Sequence, residues 1–160
     1  MTVDMFMKID TVDGEAQDSK HKKEIDVLTW SWGMSNSGSA HNGSGAGAGK
    51  VNVHDLTFTK WVDTATPKLA LACCSGKHFK DATLIIRKAG DKPVEYVKIK
   101  METVMITSIS TGGSGGEDRL HENVTLNFAK VNLDYVPQND KGAAGTAIPM
   151  TWDIAGNTSN

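Results

Sequence analysis

Two glycine-rich tracts are the stretches of this chain whose residue types could bind a phosphate group. The first tract, residues 33–50, contains the sequence GSGAGA at 43–48, followed directly by GK. A Walker loop ending at that GK requires glycine at position 44 and a hydroxyl residue at position 51, where Ser44 and Val51 stand. Strand-like sequence follows the GSGAGA pattern, so no helix N-terminus can receive a pyrophosphate there. Nucleotide binding is therefore not expected.

The second tract, GGSGGE at 112–117, is only faintly similar to a calcium-binding repeat. Glutamate stands where that repeat has aspartate, and no tandem copy follows. Glu117, together with Asp118, Arg119 and Glu122 that follow the tract, is interpreted as a set of salt bridges in a loop. A tight structural turn is the favoured interpretation of the tract.

Histidine and cysteine spacing gives no support for a metal site or a nucleophile. The five histidines, at positions 21, 41, 54, 78 and 121, lack metal-ligand spacing such as H-E-x-x-H, and no G-x-S-x-G motif is present. Cys73 and Cys74 are adjacent, and adjacent residues of a helix point about 100° apart, so we expect two reduced thiols. The chain is therefore not expected to be an enzyme or to bind a cofactor or a metal ion.

Charge and hydropathy exclude two further classes. A net charge of −2 provides no basic face for nucleic acid. No window approaches the roughly 18 apolar residues of a membrane helix, and the N-terminus has no apolar run typical of a signal peptide. We therefore expect synthesis and folding in the cytoplasm, with any export independent of a cleavable signal.

The basic sequence KHKK at 20–23 could meet an acidic partner, but a solvated loop is favoured.

The elements that flank the first tract are strands. In residues 24–34 the alternation places Leu28, Trp30, Trp32 and Met34 on one face, which we expect to be core. The opposite face carries Val27, Thr29 and Ser31, and it is small and mildly polar. A second strand follows over residues 51–61.

One helix and several long strands complete the prediction. Residues 66–75 read as a helix with Thr66 as its cap, Pro67 at its first position and Gly76 at its end. Alternating runs follow at 81–89, 94–110, 119–136 and 148–154, and the apolar face changes side within the second and third of them. These elements predict a mainly β protein: an antiparallel β-barrel of about seven strands, flanked by one short helix and a long Gly-rich loop, in a single domain of residues 1–160.

The chain resembles the haemolysin-coregulated protein (Hcp) family, which forms the tube of bacterial type VI secretion. The resemblance is collinear over essentially all 160 residues and is least clear from residue 143 onward. The segments that carry it are DMFMKI (4–9), EIDVLTWSWGM (24–34), GKVNV (49–53), SGKH (75–78), IRKAG (86–90), STGGSGGEDRL (110–120) and ENVTLNF (122–128).

The resemblance implies hexameric rings that stack into an exported tube, whose lumen carries and protects small effector proteins. It also implies a contractile sheath and a spike-tip protein as partners. Within this framework Thr29 and Ser31 are predicted to face the pore and contact cargo. Residues 33–50 are predicted to protrude and touch a neighbouring subunit or ring, although a flexible solvated loop remains the alternative. The contact residues predicted in this loop are Gly33, Met34, Ser35, Asn36, Ser37, Gly38, His41, Gly43, Gly45, Gly47, Gly49 and Lys50.

Two other classes of function remain open from the sequence. One is a stand-alone β-barrel that binds a carbohydrate or another small ligand. Such sites usually display exposed aromatic rings, whereas the tryptophans here alternate as core residues. The other is a hydrolase with dispersed catalytic residues, which no motif supports.

Overall fold

A computed structural model describes residues 2–38 and 49–159. Its secondary structure consists of one helix and nine strands in the described residues. In chain order they are β1 (Val3–Ile9), β2 (Ile25–Ser31), β3 (Met34–Asn36), β4 (Val51–Val53), β5 (Leu56–Trp61), α1 (Thr66–Ser75), β6 (His78–Lys88), β7 (Val94–Gly112), β8 (His121–Tyr135) and β9 (Ile148–Asp153).

The main sheet closes on itself as an antiparallel barrel. Its strands follow the order β5-β2-β1-β6-β7-β8-β9, and β5 also pairs with β8. Six strands therefore form the closed barrel, while β9 pairs with β8 outside it. Closure leaves the six barrel strands without long free edges, which would otherwise pair with other chains. The predicted fold class, a mainly β barrel with one short helix, is confirmed.

The core fills the barrel because side chains alternate between its inside and its outside. On β5, for example, Leu56 and Phe58 are buried inside the barrel, whereas Thr57 and Thr59 are only half-buried. Leu126 and Val124 of β8 lie opposite the first two, and both are fully buried. Burial of each such side chain contributes roughly 1.5–3 kcal/mol to stability.

The predicted change of face in the two longest strands is confirmed and has a local cause. Met101 and Val104 of β7 are both buried although they are three residues apart, and their partners Val131 and Phe128 of β8 behave in the same way. Between them Thr103 has a φ of 55°, which is left-handed backbone. That residue turns the strand so that its apolar face continues to point inward.

The prediction for residues 24–34 was wrong at three positions, one of which is Leu28, assigned to the core but only half-buried and outside the core cluster. Val27, assigned to the polar face, is 6% exposed and belongs to the core, whereas Met34, assigned to the core, is 42% exposed. A register shift between Val27 and Thr29 exchanges the two faces of the strand, and β2 ends at Ser31. Trp30 and Trp32 are partly buried and pack against the edge of the core.

The helix agrees with the predicted bounds 66–75, but its cap differs. Ala65 precedes the helix without a side-chain cap bond, and Pro67 lies in the first turn. The Thr66 hydroxyl accepts the N–H of Asp63 at 3.0 Å, so it braces the approach to the helix instead of capping it. Gly76 ends the helix with a φ of 73°, as the sequence predicted.

The basic sequence at 20–23 is not solvated throughout, which corrects the favoured interpretation. His21 is 5% exposed and its ring stacks on Phe6 at 4.5 Å. The lysines on either side of it remain exposed.

Cys73 and Cys74 of α1 are free thiols, half-buried and exposed respectively.

Candidate functional site: a polar barrel face

The outer surface of four adjacent barrel strands carries small polar side chains in two rows. Residues paired across strands point to the same side of a sheet, so each row forms a continuous strip. One row crosses β2, β5, β8 and β7 as Ser31, Thr57, Thr125 and Ser108, and the next crosses them as Thr29, Thr59, Asn123 and Ser110. We call these eight residues the polar face.

Hydrogen bonds between strands fix the side chains of the polar face. The Thr59 hydroxyl donates to the Asn123 amide oxygen at 2.7 Å, and the hydroxyls of Thr57 and Thr125 lie 3.2 Å apart. Thr29, Ser31, Ser108, Ser110 and Asn123 are exposed. The polar face is therefore wettable and uncharged, and all of its side chains are small.

Charged groups border the polar face at both ends. At one end the Asp55 carboxylate accepts bonds from Thr107 at 3.1 Å and from Asn127 at 2.8 Å. At the other end the Arg119 guanidinium lies over the Trp61 ring at 4.5 Å. The barrel wall thus changes from charged to neutral and back along its length.

A buried ion cluster supports the polar face from inside the barrel. Lys60 and Glu122 are both fully buried and their side chains are 3.0 Å apart. The ammonium group also contacts Asp63 at 2.8 Å, and the carboxylate accepts the Thr66 hydroxyl at 2.9 Å. Glu122 therefore does not belong to a loop salt-bridge set, as the sequence suggested. It joins α1 to the pairing of β5 with β8, which closes the barrel.

A small β-hairpin holds the base of the predicted contact loop. Strands β3 and β4 pair from Met34 opposite Val53 to Asn36 opposite Val51. The Asn36 amide donates to the Gly49 carbonyl at 2.8 Å, and a Cβ at Gly49 would collide with the Ser37 hydroxyl. Among the other predicted contact residues, Ser35, Ser37, Gly38 and Lys50 are exposed and Gly33 is half-buried. His41, Gly43, Gly45 and Gly47 lie outside the described residues.

An apolar cavity of about 140 Å³ lies between this hairpin and β9. It is lined by Trp32, Met34, Val51, Val53, Val131, Met150 and Trp152. Carbohydrate binding requires several convergent polar groups, and this lining offers mainly aliphatic and aromatic surface. The cavity therefore does not resemble a sugar site.

Neither metal ligands nor a membrane span is found in the part of the chain that the structure describes. Within residues 2–38 and 49–159, no three histidine, cysteine or acidic side chains are grouped closely enough to bind a metal ion. In the same ranges, no helix has the length and apolar character needed to span a bilayer.

A closed barrel whose outer wall carries an ordered, uncharged polar surface is typical of a structural or binding protein. The family model of the type VI secretion system effector Hcp matches residues 6–135, and the chain belongs to this family. It is 62% identical over 159 residues to the protein hcp1 of Pseudomonas aeruginosa PAO1, and the alignment covers 98% of each chain. The resemblance seen in the sequence is thereby confirmed.

Solved structures give the same relationship. A protein described as a type six secretion system protein superposes with a TM-score of 0.92 at 37% identity, covering 99% of this chain and all of the other. Hcp1 of Salmonella typhimurium superposes with a TM-score of 0.81 at 36% identity over the whole of both chains. The chain is therefore a homologue of Hcp1, a structural tube protein of the type VI secretion system and not an enzyme.

Sequence reasoning identified two of the eight residues of the polar face. Thr29 and Ser31 are exposed and begin the two rows, although nothing in the structure tests their predicted contact with cargo. The other six were missed because only apolar alternation was followed in β5, β7 and β8. The available signal was an alternation of small polar residues in these strands: threonine at 57 and 59, serine at 108 and 110, and Asn123 with Thr125.

Proposed function

We propose that this protein is the subunit of a hexameric ring, and that stacked rings form a secretion tube with the polar face lining its channel. The polar face is the observation that carries the proposal, because four adjacent strands present one wettable surface without a charged side chain. A channel that conveys different proteins must be hydrated without holding any of them tightly. Short hydroxyl and amide side chains meet both requirements.

The proposal assigns a role to the whole chain. Residues 1–160 act as one barrel unit, and small effector proteins travel in the lumen as separate chains. A contractile sheath surrounds the tube and a spike-tip protein closes its end. The subunit assembles in the cytoplasm and leaves the cell through the secretion apparatus without a cleavable signal peptide. No nucleic acid, cofactor or membrane insertion takes part.

Replacing Ser31 with lysine tests the contact between the polar face and cargo. Ser31→Lys introduces a long charged side chain at an exposed position of the first row, so we expect normal rings that retain less effector. Ser19→Lys is the matched control, since Ser19 is an exposed serine outside the polar face. Ring formation is measured by size-exclusion chromatography and retention by co-purification of effector. Loss of rings in Ser31→Lys would place residue 31 in a subunit interface.

Negative-stain electron microscopy of the purified protein tests the ring itself. Six-membered rings with an open centre are expected. A monomeric particle at the same concentration would contradict the proposal and would favour the stand-alone binding module.

The hairpin formed by β3 and β4 supports a contact role for residues 33–50. Its three residue pairs hold Asn36 opposite Val51, and Met34 exposes apolar surface in the same hairpin. Deleting residues 37–46 is expected to leave folded protein that no longer stacks or is secreted. If stacking and secretion are unchanged, the loop is only a solvated connection.

A further inference from the structure

Two adjoining spaces lie beside the β3–β4 hairpin, where it approaches β9. The first is the apolar cavity of about 140 Å³ described above. The second is a polar cleft of about 360 Å³, lined by Asn36, Gly49, Lys50, Val51, Trp152 and Asn157. Val51 and Trp152 line both spaces, so the cavity and the cleft meet at these two side chains.

One wall of the cavity is a face of the hairpin. Cross-strand partners, and residues two apart in a strand, point to the same side of a sheet. The pairs Met34–Val53 and Asn36–Val51 therefore share one face of the hairpin. Three of these four side chains line the cavity, and the fourth, Asn36, lines the cleft. The face thus changes from apolar to polar at the border between the two spaces.

The size and lining of the cavity select an apolar group of about one ring. A protein cavity of about 150 Å³ with an aliphatic and aromatic lining is large enough to bind benzene. The Trp32 indole N–H donates to the His54 carbonyl at 2.9 Å, so it is not available to a ligand. Met34 and Met150 supply unbranched, polarisable side chains that adapt to the shape of an apolar group.

The cleft supplies a positive charge next to the cavity. Lys50 is exposed, whereas the described ion pairs of lysine involve Lys60, Lys98 and Lys130. Among the described residues that line the cleft, none is acidic. A carboxylate is therefore the group that complements the cleft.

We propose that the cavity and the cleft together bind a small aromatic carboxylate, with its ring among the apolar side chains and its carboxylate toward Lys50. The carboxylate also offers an acceptor for Trp152, whose indole N–H is buried and has no acceptor among the described residues. Such unpaired buried donors are uncommon in proteins. All of the lining residues belong to one chain, so binding is independent of the proposed ring.

Three ligands test the site on the full chain by NMR titration. Phenylacetate has both groups and should bind with a Kd of about 1 mM, a strength expected of so small a ligand. Phenethyl alcohol keeps the ring without the charge and should bind about fivefold more weakly, as expected for one exposed ion pair. Acetate lacks the ring and should not bind at the same concentrations.

The four tryptophan indole N–H signals locate the bound ligand. Those of Trp32 and Trp152 should shift with phenylacetate, whereas those of Trp30 and Trp61, which do not line the cavity, should not. Absence of phenylacetate binding, equal binding of acetate, or shifts confined to the other two indoles would overturn the proposal, whichever variants fold.

Two pairs of variants separate the ring and carboxylate contacts. Val51→Phe fills the space where the cavity and cleft meet, and it should weaken phenylacetate binding by about tenfold or more. Val3→Phe, at an exposed valine of β1, is its control. Lys50→Gln should weaken phenylacetate about fivefold without changing phenethyl alcohol, and Lys92→Gln, at another exposed lysine, should change neither. Unchanged binding in Val51→Phe, or a preference for the carboxylate that survives in Lys50→Gln, would contradict the site.

Discussion

Individual charged residues are buried in this barrel where each one finds several partners. Lys60 donates to the Trp61 carbonyl at 2.7 Å as well as to Glu122, and Glu122 also accepts bonds from Thr66. An isolated ion would cost several kcal/mol to bury, and pairing offsets that cost only when the remaining polar atoms are satisfied. The position of this cluster, where α1 meets the pairing of β5 and β8, makes it a determinant of barrel closure.

Removing one partner of the buried pair is expected to destabilise the fold more than removing both. Lys60→Met leaves the Glu122 carboxylate buried without its cation, so the free energy of unfolding should fall by about 3 kcal/mol. The double variant Lys60→Met with Glu122→Leu should recover most of that loss. Urea denaturation measures both. A double variant less stable than Lys60→Met would show that the pair contributes more than the apolar replacements can.

Asp18 is expected to make the fold sensitive to acid. Hydrogen bonding to Arg87 lowers the pKa of Asp18 far below the usual carboxyl range, and the Lys20 backbone N–H adds to this effect. Because the folded-state pKa is depressed, the stabilisation is present at neutral pH and is lost as pH falls below about 4. Asp18→Asn should therefore unfold with a shallower pH dependence in that range. Asp13→Asn, a change at an exposed aspartate of the same segment, should keep the wild-type slope.

At the scale of elements, the strand bends determine which faces reach the core. Apolar alternation predicted β6, β7, β8 and the change of face near Thr103, because both faces of those strands carry a clear pattern. It failed over 24–34, where a register shift and the short hairpin of β3 with β4 depend on distant partners. No pattern within one strand encodes such a partner.

Replacing Thr103 with asparagine is expected to stabilise the barrel. Thr103 is an exposed β-branched residue in left-handed backbone, a conformation that asparagine adopts more readily. Thr103→Asn should raise the free energy of unfolding by about 0.5–1 kcal/mol. Lys100→Asn, at an exposed position of the same strand, should be neutral or destabilising because asparagine is a poor strand residue. An equal effect of both changes in denaturant titrations would contradict the role assigned to the backbone of Thr103.

At the scale of the whole molecule, the polar face and the buried His21 depend on the register of strands that are far apart in sequence. Thr29 and Ser31 could be recognised within one strand. Their neighbours in the rows come from positions 57–59, 108–110 and 123–125, and only the closed barrel brings these together. His21 was misjudged for the same reason, since its partner Glu95 lies 74 residues away.

The proposed hexameric ring repeats every side chain of the polar face around one channel, so a charge placed there is multiplied by the symmetry. Copies of Ser31→Lys should repel one another across the channel, and so should copies of Ser31→Glu. The Debye length is about 30 Å at 0.01 M salt and about 8 Å at 0.15 M, so the repulsion should be strong only at low salt. Mixing the two variants at low salt should therefore give more mixed rings than a statistical distribution predicts, as measured by the subunit composition of the rings in native mass spectrometry.

The mixing experiment has an internal control in position 19. Ser19→Lys and Ser19→Glu carry the same charges on an exposed loop outside the polar face, and they should mix statistically at every salt concentration. Enrichment of mixed rings for position 31 that disappears at 0.15 M salt, about the physiological value, is the result expected of a shared channel. Statistical mixing for both positions at low salt would mean that the six copies of residue 31 do not face one another, and the polar face would then have to lie on the outside of the tube.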